Sequence, residues 1–190
     1  MQFLLIPEIR EILKQNYNRT GKTGLRTFWD YDFRHNGRII EARRSMPNIF
    51  HDDGEELICK IVFDETVSVP ASYYIGLDAR VSAAEDDTLA SEIAADEEDG
   101  TGYAREAVAS DNTDWTVSFD ATDWQALSHT VTFTAGAADW QTNTYAFLTD
   151  QASAQSGKYL ICSQALSTGR LLGNGDSLNV SLAVKIKEAA

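Results

Sequence analysis

The chain has 190 residues, 43% of them hydrophobic, and a formal net charge of −13 at pH 7. That length suits one domain with a core large enough to need no disulfide or metal. No apolar run approaches the roughly 18 residues of a membrane-spanning helix, and a field this negative repels phosphate backbones, so neither a membrane nor a nucleic acid is an expected partner.

The short apolar run Phe3–Ile6 stops at Pro7 and is too short for a signal peptide. Residues 7–17 predict a helix. Pro7 suits the first helical position, and Leu5, Ile9, Ile12 and Leu13 share one face. So short a helix is marginal alone, so that face must pack on something. Asn18 to Gly24 then breaks the pattern with two glycines. Residues 1–24 therefore read as an N-terminal helical arm and hinge, ahead of a domain over 25–190. Charge divides along the chain: residues 1–50 carry nine basic and five acidic side chains, and residues 51–190 carry seven and 24. Solubility accounts for the acidic part. The basic end also suits docking on an acidic surface, such as another copy of the chain.

A hairpin is expected over 25–46. Trp29, Tyr31 and Phe33 alternate with Asp30, Asp32 and Arg34, the period of a half-buried strand. Asn36-Gly37 is a favoured two-residue turn, because both positions tolerate positive φ. A regular ladder from that turn sets Phe33 opposite Ile40, Tyr31 opposite Ala42 and Asp30 opposite Arg43. It also sets Asp32 against Glu41, an unfavourable like-charge pair. The face of Trp29, Tyr31 and Phe33 is a second candidate for assembly contacts and equally a candidate for the core.

Residues 52–64 predict a short helix, with Asp52 or Asp53 capping its first turn and Glu55 or Glu56 as reciprocal acceptor. Leu57, Ile58, Ile61 and Val62 form its apolar stripe, and a strand is the competing reading. Strands follow near 72–78, 103–110, 114–119, 127–134, 142–149, 158–166 and 177–187. The last is the cleanest, with Leu178, Val180, Leu182, Val184 and Ile186 alternating against polar residues. Short strands at this spacing predict a mainly β chain, an antiparallel β-sandwich with main sheets over 72–187.

Chemistry-bearing motifs fail their tests. Gly21-Lys22-Thr23 lacks the glycine that a phosphate loop needs at the position of Asn16, and a hairpin follows it where a helix should. The acidic stretch 85–99 lacks the alternation and central glycine of a calcium loop and reads as solvated. Three histidines at 35, 51 and 129 and two cysteines are too scattered for a zinc site. Cys59 and Cys162 sit in apolar runs and suit buried free thiols, with a disulfide as the alternative. No nucleophile elbow is present. The sequence therefore offers no catalytic residue, no metal ligand and no cofactor. Its tryptophans and tyrosines suit a core or subunit interface, or a sugar-stacking surface.

Several short motifs occur in order: Trp29-Asp30-Tyr31, Asn36-Gly37, Asn48, Asp53-Gly54-Glu55, Tyr74-Ile75-Gly76-Leu77, Asp86-Asp87-Thr88-Leu89, Gly102-Tyr103-Ala104-Arg105 and Ala146-Phe147-Leu148. As a set, from about Arg26 onward, they resemble a family of small structural proteins of tailed bacteriophages, described as tail, tail-fibre or other virion components. The resemblance implies a non-enzymatic virion component at the neck, tail or fibre, made in the host bacterial cytoplasm. Its implied partners are copies of itself and neighbouring virion proteins. A capsid decoration (cement) protein and a receptor- or glycan-binding module are the alternatives. Residues 1–24 lie outside the pattern.

Overall fold

The computed structural model describes residues 24–64, 66–82, 85, 93, 95–120, 123–136, 138–153 and 159–187. Residues 1–23 of the predicted arm and hinge, Gly21-Lys22-Thr23 among them, and Asp86-Asp87-Thr88-Leu89 lie outside them, as do the candidate contacts Leu5, Ile9, Ile12 and Leu13; Gly24, expected to end the hinge, instead opens the first strand.

The chain is mainly β, with one short helix among the described residues. In order come β1 (Gly24–His35), β2 (Arg38–Pro47), β3 (Ile49–Phe50), α1 (Asp52–Cys59), a π-helical turn (Lys60–Asp64), β4 (Ser72–Asp78), β5 (Glu106–Ala109), β6 (Trp115–Phe119), β7 (Trp124–Ser128), β8 (Val131–Thr134), β9 (Thr142–Thr149), β10 (Leu160–Leu171) and β11 (Asp176–Lys187). One antiparallel sheet runs β2-β1-β11-β7-β6, with β8 also paired to β11. The other runs β3-β10-β9-β4-β5.

The inward faces of the two sheets share one core, as in a β-sandwich. Trp29, Tyr31, Val131, Phe133, Leu178, Val180 and Leu182 from the first meet Ile75, Leu77, Val108, Ala146, Leu148, Ile161 and Cys162 from the second. Each fully buried large side chain of this kind contributes about 1.5–3 kcal/mol. Trp29 and Tyr31 are thus core residues, one of the two places their alternation allowed.

β11 is the spine. It pairs with β1 along its whole length on one side. On the other side β8 takes Ser177–Val180 and β7 takes Ala183–Ile186. The sequence suggested a single strand over 127–134. The chain instead breaks between β7 and β8, and the break is sealed by a side chain. The Leu182 amide, between the two ladder segments, donates to Ser128 Oγ at 2.9 Å. A side-chain oxygen thereby satisfies a buried N–H that would otherwise be costly.

The hairpin turn forms as expected, with Asn36 and Gly37 both at positive φ. Its register does not follow a regular ladder. Arg34 pairs with Ile39 but Phe33 pairs with Glu41, so Ile40 is an extra residue in β2. A second irregularity lies between Arg43 and Met46, where Ser45 takes φ 52°. These bulges remove the predicted Asp32–Glu41 repulsion. Asp32 now lies opposite Ala42 and accepts from Arg44 Nη2 at 2.5 Å. Glu41 swings to Tyr31, whose hydroxyl donates to it at 3.0 Å, and pairs with Arg43 and Arg170. Since Arg170 lies on β10, this carboxylate ties the two sheets together.

The stretch 52–64 is helical, not extended. His51, rather than either aspartate, is the N-cap, and its carbonyl accepts from the Gly54 and Glu55 amides. Asp52, Asp53 and Glu55 occupy the first turn, where the helix dipole favours negative charge. Gly54 lets the helix lie directly on β10: a Cβ there would fall 2.5 Å from the Ile161 carbonyl oxygen.

Candidate functional site

Two places on this scaffold stand out: a buried polar junction at one end of the five-stranded sheet, and an apolar cleft between the sheets near β6 and β7.

The junction brings together three of the short motifs. Gly76 and Phe147 are direct partners across β4 and β9, and the Phe147 ring lies over the glycine. The chain returns alongside the end of β4 at residues 96–98. The Ala79 amide donates to the Asp96 carbonyl at 2.8 Å and the Glu98 amide to the Leu77 carbonyl at 3.0 Å. Gly102, at φ +86°, then turns the chain, and the Tyr103 amide donates to the Gly100 carbonyl at 2.9 Å. This places the Tyr103 hydroxyl where it accepts from the Leu77 amide at 2.9 Å and donates to Glu97 Oε1 at 3.1 Å. Residues 102–105 therefore precede β5, where the sequence suggested that they open it.

Arg105 grips Glu97 with two parallel bonds, Nε to Oε1 and Nη2 to Oε2, both 2.6 Å. Its Nη1 donates to the Gln151 carbonyl at 2.9 Å and its guanidinium lies 5.1 Å from the Phe147 ring centre. Glu98 is buried and accepts from Asn143 Nδ2 at 2.8 Å and the Gly100 amide at 2.7 Å. The end of the acidic stretch is thus built into the fold rather than solvated. Sequence composition could not reveal this, because it does not show which side chains the fold turns toward Glu97 and Glu98.

Asp78 and Arg80, both buried, form an ion pair at 3.2 Å, with Arg80 stacked 4.2 Å over the Tyr145 ring. Burial pushes the Asp78 carboxyl up to about 6, against the opposing pull of Arg80. Burial likewise raises the Tyr103 hydroxyl, helped by the Glu97 charge. The Glu97 and Glu98 carboxylates, the Tyr103 hydroxyl and the Arg105 guanidinium are engaged by other parts of the chain, which marks a structural clamp, while Asp78 Oδ2, Arg80 Nη2 and Asn143 Oδ1 are shielded with no hydrogen-bond partner.

The cleft has a volume of about 800 Å³. Trp115, Val117, Ala126 and Val184 line it from one sheet, Tyr73, Leu148 and Ile161 from the other, and Leu57 and Ile58 from α1. Ser110, Asp111 and Asn112 form its polar end. Tyr73 and Trp115 meet edge-to-face, with ring centres 6.3 Å apart. Beyond the mouth, Phe119 and Trp124 pack together at 5.7 Å yet remain more than half exposed. Sequence reading did not single out these residues. Alternation shows which residues share a face, but not whether a second layer covers them.

Phe33 is half-buried beneath Arg170, whose guanidinium lies 5.3 Å from its ring centre. Trp29 and Tyr31 are sealed in the core, so of the hairpin trio none presents a broad free face. Both cysteines are free thiols; Cys162 is buried, while Cys59 is only half-buried. Among the described residues, no group of three or more His, Cys, Asp or Glu side chains is placed to hold a metal ion.

Residues 51–185 match the family described as podophage GP4 fiber I protein gp80. The match spans well over half of the chain, which therefore belongs to this family of phage tail-fibre-type structural proteins. No curated protein matches the chain.

Proposed function

We propose that the chain is a non-enzymatic component of a tailed-phage virion, fixed at the fibre, tail or neck, where it joins copies of itself and neighbouring virion proteins. The family match over residues 51–185 carries this reading. It covers α1, all strands from β4 to β10 and most of β11, while β1 to β3 lie outside it. Within it, Glu97, Glu98, Tyr103 and Arg105 are spent on internal clamping, which suits a load-bearing block. The part outside the match begins with residues 1–24, and Leu5, Ile9, Ile12 and Leu13 are the side chains we assign to subunit contact. An amphipathic segment that orders on binding covers a large surface with few residues.

Gold-tagged antibody against the chain, applied to parent virus particles and imaged, tests the assignment. Label confined to the fibre, tail or neck is the expected result. Label spread across the shell would make the chain a cement protein, and unlabelled particles would remove it from the virion.

A further inference from the structure

The inward face of the six-stranded sheet runs on past its cover. Val184 pairs with Ala126, and Ala126 with Val117, so these three share the core-facing side. Trp124 and its partner Phe119 lie two residues further along the same face. Yet Val117, Phe119 and Trp124 are 68%, 56% and 58% exposed, whereas Leu182, two residues before Val184, is 0% exposed. The second sheet stops short, and the apolar cleft is the result. At its polar end the Trp115 Nε1 and Ser110 Oγ atoms are shielded and have no hydrogen-bond partner, an arrangement that native folds avoid unless something else completes it.

We propose that in the free subunit residues 1–23 of the same chain dock in this cleft, laying Leu5, Ile9, Ile12 and Leu13 over Val117, Phe119 and Trp124. Position is the first argument. β1 begins at Gly24, which pairs with Lys187, and the neighbouring Ile186 pairs with Trp124. The segment thus enters two strand spacings from Trp124, about 10 Å. Residues 18–23 can span about 20 Å when extended, enough to bring a helix over residues 7–17 to the mouth. Charge is the second. Residues 1–23 hold four basic and two acidic side chains, against 12 and 27 in the remainder. Asp111 lines the cleft, and α1, which also lines it, carries Asp52, Asp53 and Glu55 in its first turn. Tethering is the third, since a short linker holds the segment at millimolar effective concentration. Exchange of the same segment onto a neighbour's cleft is then a route to the subunit contact proposed above. The docking itself does not depend on the virion assignment, because it concerns the isolated chain.

The test uses the full chain with Cys59→Ser, Asn16→Cys and Val117→Cys, treated with a short bis-maleimide at low micromolar protein. On the helix predicted over residues 7–17, the spacing puts Asn16 on the face of Ile9, Ile12 and Leu13, so no anchor is lost. An intrachain cross-link in most molecules is expected, identified by mass spectrometry of the linked peptides. It should fall at least tenfold when the arm cysteine is moved to Lys14, on the opposite face, or when Val81, 100% exposed, replaces Val117 as the second site. A mainly interchain product would overturn the proposal by making a second copy the occupant. Equal yields from all three pairs, or no product, would overturn it by showing that the segment does not dock there.

Discussion

A β-carbon added to Gly76 would sit 2.3 Å from Cζ of Phe147, its partner across β4 and β9. Phe147 is 1% exposed and packs with Ile93 and Leu160, so its ring has nowhere to retreat. Gly76→Ala is therefore expected to cost about 1–3 kcal/mol in urea unfolding, the usual penalty for overpacking. Adding Phe147→Leu to Gly76→Ala should recover part of the loss. Unchanged stability in the single variant would remove the close approach as the reason for glycine here.

Arg105 and Glu97 form a bidentate pair whose side chains are 6% and 8% exposed. Removing one partner leaves a buried charge uncompensated, so Arg105→Met should destabilise by about 3–5 kcal/mol. Replacing both, Arg105→Met with Glu97→Leu, should cost much less than the sum of the single changes. Additive single effects in a double-mutant cycle would refute the coupling.

Asp78 gives the fold a pH signature. Its carboxyl is raised from 3.8 to about 6 by burial, so between those values the folded state holds a proton that the unfolded chain has released. The linkage sign follows: this residue's contribution is most favourable at or below pH 4 and declines as pH rises to about 6, then levels off. The loss should be on the order of 2–3 kcal/mol. Asp78→Asn should flatten that slope in unfolding free energies measured from pH 4 to 7. Identical slopes in both proteins would show that Asp78 is ionised throughout.

Thiol chemistry should separate the two cysteines. Cys162 is buried, and burial pushes its thiol up to about 12. Cys59 is half-buried and only partly protected, although burial and Glu55 raise it too. Iodoacetamide at pH 8 should label Cys59 first and reach Cys162 only on unfolding, since the thiolate is the reactive form. Early labelling of Cys162 would show that the core between β10 and β1 opens readily.

Much of this architecture could be read from the chain. β4 and β9 begin and end where period-2 alternation and turn residues put them, and Leu178, Val180, Leu182 and Val184 of β11 face the core as its pattern marks. Asn36-Gly37 makes the expected turn. The bulges at Ile40 and near Ser45 were not legible, because alternation shows which residues share a face but not where a strand takes an extra residue. Glu97 and Glu98 were misleading for a related reason. A run of carboxylates looks solvated until Arg105, just before β5, and Asn143, on β9, close on it. The cleft was invisible because Val117 and Trp124 carry the same alternation as Leu182, and only the extent of the opposite sheet distinguishes them.

The placement of β11 sets a timetable for synthesis. β1 and β2 leave the ribosome early, yet β1's ladder partner is β11, roughly 140 residues later. At about 5–20 residues per second, the open hydrogen-bonding edge of β1 waits on the order of ten seconds for its partner. Throughout that interval the hairpin presents an unpaired edge, and closing it joins two distant parts of the chain, a slow step. Yield of this protein should therefore be governed by how the nascent chain is shielded and how fast it is made, more than by the stability of the finished fold.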